Sequence, residues 1–193
     1  MASSVSVCLS WAPRLAVLVL TLATAAPTNL RAQALPAPAQ AQALSEWRTG
    51  RSLYAAGTIV GLMGSGLVVA GIVTGGLYDV QTGSILAMSG SGAHALSFVL
   101  SATGLGLQHN AMEALGAPVG RGLFAAGTAL GVAGLLSIGT AYFFGATSGY
   151  VPDHPQAALW SSVAGSVLTL TGSILYLVDA KRLAVAMRRL GRF

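Results

Sequence analysis

The chain reads as an all-α membrane protein: four transmembrane helices forming two tandem two-helix repeats, preceded by a signal-like N-terminal segment. Three observations predict this. Only 8% of the 193 residues are charged and the mean hydropathy is +0.71, whereas a soluble domain carries about 25% charged residues. Four apolar stretches, at 52–77, 84–107, 122–145 and 157–178, contain no Lys, Arg, Asp or Glu, and each suffices for a bilayer crossing of about 20 residues. Finally, RSLYAAGTIVG at 51–61 returns as RGLFAAGTALG at 121–131, identical at seven of eleven positions.

The elements follow in order. Arg14 closes a weakly basic start, and LAVLVLTLATAA at 15–26 is an apolar core too short to span comfortably. Small-residue cleavage patterns follow at Ala23-Thr24-Ala25 and Ala32-Gln33-Ala34, so 1–34 has the parts of an export signal. It is either cleaved or retained as a short fifth helix. Residues 35–50 are rich in Ala, Pro and Gln and read as a linker. The first repeat covers 51–117, the second 118–178, and 179–193 is a basic tail. In the tail Leu183, Met187 and Leu190 share one face among five basic residues. Either it lies on an anionic leaflet as an amphipathic helix or it is solvated and only sets topology.

The repeat extends past the quoted phrase. At an offset of seventy, Gly57, Gly61, Gly64 and Gly75 meet Gly127, Gly131, Gly134 and Gly145, while Gly71 meets Ala141. Steps of 4, 3, 7 and 4 keep these positions on one helix face. Lipid supplies little hydrophobic drive between helices, so association depends on the close approach that glycine allows. The second helices echo at an offset of 68, where Val99-Leu100 and Thr103-Gly104 recur as Val167-Leu168 and Thr171-Gly172. Two spans per unit give both units one orientation, as in parallel repeats.

The second and fourth spans carry polar stripes instead. On one, Gly90, His94, Ser97, Ser101, Gly104 and Gln108 step by 4, 3, 4, 3, 4; on the other, Ser162, Ser166, Thr169, Ser173 and Tyr176 step by 4, 3, 4, 3. A continuous hydroxyl row faces protein or water rather than lipid. Interhelical hydrogen bonding is the preferred reading, and a polar pathway is the alternative. His94 is the one strongly ionisable side chain deep in a span, and such residues are functional candidates by default. The preferred expectation is a neutral imidazole bonded to a hydroxyl, with the fourth span as the candidate donor. His109 and His154 are placed outside the spans, without a metal-ligand cluster.

Several functions are set aside. The pI of about 10.0 does not indicate nucleic acid, because five of the ten basic residues occupy the last thirteen positions beside an apolar span. Gly90-Ser91-Gly92-Ala93-His94-Ala95 fits a dinucleotide fingerprint formally but lies within a span rather than after a strand. Ser91 and His94 lack an orienting carboxylate and an oxyanion hole. Glu46, Asp79, Glu113, Asp153 and Asp179 stand singly at span ends and loops and read as boundary residues. Cys8, the only cysteine, excludes an intramolecular disulfide and does not resemble a lipoprotein acylation site. No catalytic, metal or cofactor site is expected.

The leading expectation is a structural or interaction role in the cell (inner) membrane, through the glycine-rich faces, with the lipid bilayer and a second copy or membrane protein as partners. The alternative is a small oligomeric transporter or channel using the polar stripes and His94. Orientation is in conflict. Four spans put eight basic residues, from Arg48 to Arg192, on the side of both chain ends and none on the other. The positive-inside rule then makes the C-terminus cytoplasmic, whereas a cleaved signal would place it outside.

Overall fold

A computed structural model describes residues 36–145 and 155–191, and every element in it is helical. The helices are α1 (Ala37–Leu77), α2 (Val80–Ala114), α3 (Gly122–Gly145) and α4 (Pro155–Arg189). All four are long and apolar enough to cross a membrane. The signal-like segment 1–34 lies outside the described residues.

Local chemistry sets the turns. Asp79 caps α2: its carboxylate accepts the backbone N–H groups of Gln81 and Thr82, at 3.2 and 2.8 Å, and the Thr82 hydroxyl. The Thr82 hydroxyl bond, then the two backbone bonds, hold the Asp79 carboxyl below the usual carboxylate range. α2 closes on Gly116, whose φ of 74° is left-handed. Gly116 N–H donates to Glu113 and Ala117 N–H to Met112, each at 3.0 Å, a Schellman arrangement.

Three helices outrun the expected spans. α1 has 41 residues, about 60 Å at 1.5 Å per residue, against a hydrocarbon core of about 30 Å. The linker expected over 35–50 is therefore helical from Ala37. Pro36 is the N-cap and Pro38 falls in the first turn, where its missing N–H costs nothing. The basic tail prolongs α4 to Arg189, with Leu183 and Met187 buried and Lys181, Arg182, Arg188 and Arg189 exposed. Together these ends form an extension whose core is continuous with that of the bundle through Leu105 and Tyr176. Ala43, Trp47, Met112, Leu115, Leu183 and Met187 are each at most 6% exposed there.

Within the apolar zone α1 packs chiefly on α2 and α3 on α4, while α2 and α4 meet centrally; among the described residues α1 and α3 do not touch. Glycine pairs make the two hairpin contacts. A Cβ on Gly64 would meet the Gly90 carbonyl at 2.8 Å, and one on Gly90 would meet that of Gly64 at 2.6 Å. Gly134 and Gly165 are related the same way: a Cβ on either would meet the other's carbonyl at 2.7 Å. A Cβ on Gly57 would meet the Ser97 carbonyl at 2.9 Å, and one on Gly127 that of Gly172 at 3.0 Å. These contacts pair the first helices at an offset of seventy and the second at 75, so packing replaces the sequence echo at 68.

Candidate functional site

Polar side chains gather on the faces of α2 and α4 that their 3-and-4 stepping predicts. His94, Ser97, Ser101, Ser162, Ser166 and Thr169 are all at most 5% exposed. The structure divides them into two groups.

The first lies in a groove of about 160 Å³ bordered by α1, α2 and α4 and lined by His94, Ser97, Ser101 and Ser173. Ser97 donates to the Gly57 carbonyl at 2.7 Å, which the bare glycine leaves accessible. His94 Nε2 lies 3.3 Å from Ser65 Oγ, so its hydroxyl partner sits on α1 rather than α4. Ser65 also donates to Gly61 at 3.0 Å, which keeps that hydroxyl satisfied by its own helix. Ser173 donates to Thr169 at 2.9 Å.

The second group holds α2 and α3 against α4. Ser91 donates to Ala87 at 2.8 Å and stands 3.1 Å from Ser166 Oγ. Thr169 bonds back to Gly165 at 3.1 Å, and Ser162 is fully buried. Ser137 of α3 donates to the Ser161 carbonyl at 3.0 Å. Ser91 and His94 point to different helices and do not pair. Gly90 opens no phosphate loop; it is closed against Gly64 in mid-helix.

Sequence reasoning missed one pair. His109 Nε2 lies 2.6 Å from Asp179 Oδ2, with 1% and 0% side-chain exposure. Neither residue sits in a loop or at a solvated boundary; both are in helices, at the base of the extension. Asp179 Oδ1 has no hydrogen-bond partner among the described residues. Phe124 packs on His109 with centroids 5.4 Å apart and on Tyr176 at 5.8 Å, walling the pair with aromatic surface. A signal was present: Asp179 continues the α4 stripe three residues beyond Tyr176, and Leu183 and Met187 carry it on at steps of four. No group of three His, Cys, Asp or Glu side chains converges among the described residues, and His154 lies outside them.

The expected packing glycines are placed as follows. Gly57, Gly61, Gly64 and Gly71 face α2, and Gly127 and Gly134 face α4. Gly131 meets the Phe98 ring of α2, and Gly75 lies between Gly83 and Leu159. The surroundings of Gly145 are outside the described residues. These glycines pack against neighbouring helices of the same chain.

Four long apolar helices with buried polar seams define a multi-pass helical membrane protein. No family model, curated protein or solved structure matches the chain.

Proposed function

We propose that this is a non-enzymatic scaffold of the cell (inner) membrane, built by duplication of a two-helix unit. One observation carries the reading: the reciprocal glycine contacts recur in both hairpins in one register, Gly64–Gly90 and Gly134–Gly165. Backbones this close cannot slide without clashing, and Ser91, Ser97 and Ser137 tie their helices to neighbouring ones, which favours a fixed bundle over alternating access. The outer faces are apolar. Ile59, Leu96, Leu136 and Ile174, one from each helix, are apolar and 53–70% exposed. Lipid, a second copy or another membrane protein contacts the chain there rather than at the glycines. Tyr78, Tyr142 and Trp160 gather toward the end without basic residues, as interfacial aromatics do.

Transport is the second reading, favoured by the groove that joins His94 to Ser97, Ser101 and Ser173. Purified chain reconstituted in vesicles with a trapped pH dye separates the two. The scaffold reading expects acid-driven flux equal to protein-free vesicles, together with a stable complex on cross-linking in native membranes. Flux that His94→Gln abolishes, with helix content unchanged, would establish the transporter instead.

A further inference from the structure

Between α1 and α4, at the base of the extension, lies a pocket of about 440 Å³. Arg51, Lys181 and Arg188 line it with Trp47, Tyr54 and Gln108. None of these three cations has a carboxylate partner among the described residues, where the ion pairs are His109–Asp179 and Arg121–Glu113. Asp179, the acid nearest Lys181 in sequence, is turned inward to His109. Arg188 makes one bond, from Nε to the Ala184 carbonyl at 3.4 Å, which leaves its remaining guanidinium donors for a ligand. Three like charges around one concavity repel each other unless an anion sits among them.

The pocket does not end at its basic rim. Tyr54 also lines the His94 groove, whose outer wall is Leu62, Leu170, Ile174 and Leu177. These four are 45–69% exposed and apolar. α1 packs chiefly on α2, and α4 on α3 and α2; α1 and α4 meet only sparsely, which leaves the groove between them along the spans. From Arg51 to Leu62 it runs about 16 Å along α1 at 1.5 Å per residue.

We propose that this seam binds one anionic glycerophospholipid, with its phosphate among Arg51, Lys181 and Arg188 and an acyl chain along the apolar groove. Guanidinium forks match phosphate oxygens, and Trp and Tyr favour the headgroup level. Basic pockets between helices on the positive side of a membrane suit such headgroups. A soluble phosphate has the same anionic chemistry but gains nothing from the groove. The inference rests on the helices crossing a bilayer, not on the choice between scaffold and transporter.

The test is native mass spectrometry of the full chain in detergent, titrated with phosphatidylglycerol, phosphatidylcholine or glycerol 3-phosphate. The expected result is retained phosphatidylglycerol, several-fold preferred over phosphatidylcholine. The triple variant R51Q/K181Q/R188Q weakens it roughly tenfold, and the charge-matched R48Q/R182Q/R189Q changes it much less. Ile174→Trp, which fills the groove, weakens lipid retention while helix content stays unchanged. Equal loss in both triple variants would mean diffuse surface charge and overturn the site. Equal retention of both lipids would do the same. Glycerol 3-phosphate displacing the lipid at equal concentration would assign the pocket to a soluble phosphate and overturn the lipid occupant.

Discussion

Gly64 and Gly66 stand two residues apart on α1 and meet opposite surroundings. A side chain on Gly64 would strike the Gly90 carbonyl, whereas a Cβ on Gly66 would meet no other helix within 4 Å. Gly64→Leu is expected to cost about 3 kcal/mol, since backbone cannot move aside. Gly66→Leu should leave stability unchanged or slightly raised, because leucine favours helix over glycine. Thermal aggregation in detergent, followed for both variants, checks this; equal midpoints would mean that Gly64 also faces lipid. At the His109–Asp179 pair, Asp179→Ala removes one partner of a buried pair and should destabilise by about 3 kcal/mol. Replacing both residues by leucine should cost less than either single change, and a double-mutant cycle measures the difference. His94 carries a smaller expectation. Its 3.3 Å contact is long and Ser65 retains Gly61, so His94→Gln should be tolerated and His94→Leu should cost about 1 kcal/mol.

At the scale of the helices, the spans were legible and their ends were not. Uninterrupted apolar runs announce a crossing because charge in lipid is expensive, so the four spans stand out. The segment 37–50 looked like linker because its prolines and low hydrophobicity resemble loop, yet Ala and Gln are good helix formers and both prolines precede the second turn. What recruits it is tertiary: Trp47 and Ala43 close on Leu183 and Met187, more than 130 residues away in sequence. The polar stripes were legible by periodicity, but the α1 partner of His94 and the inward turn of Asp179 depend on helix rotation that one sequence does not reveal. Met187→Ala should therefore cost about 2–5 kcal/mol and open Arg48 and Arg51 to trypsin; unchanged digestion would mean that the extension has no shared core. The Asp79 cap gives a pH expectation. Its carboxyl is held below the ordinary range, so its stabilisation is complete above that range and is lost as pH falls through the lowered value. Asp79→Ala should lower the thermal midpoint at neutral pH, and the gap to the parent should close in strong acid.

For the molecule as a whole, the central claim is that four helices cross one bilayer with the basic extension on a single side. Even helix number places Trp47, Gly116 and Leu190 together and Gln81 opposite, and the positive-inside rule leads us to expect the extension on the cytoplasmic side. The outward faces of Val69 on α1, 59% exposed, and Leu136 on α3, 70% exposed, then belong to lipid. Cysteine accessibility tests this most directly. In a Cys8→Ser background, single cysteines at Gly116, Leu190, Gln81, Val69 and Leu136 are treated with a membrane-impermeant maleimide, on intact spheroplasts and after lysis. The account predicts labelling of Gln81 in intact cells, labelling of Gly116 and Leu190 only after lysis, and none at Val69 or Leu136. Labelling of Val69 or Leu136 from water, or of Gln81 from the same side as Leu190, would contradict it.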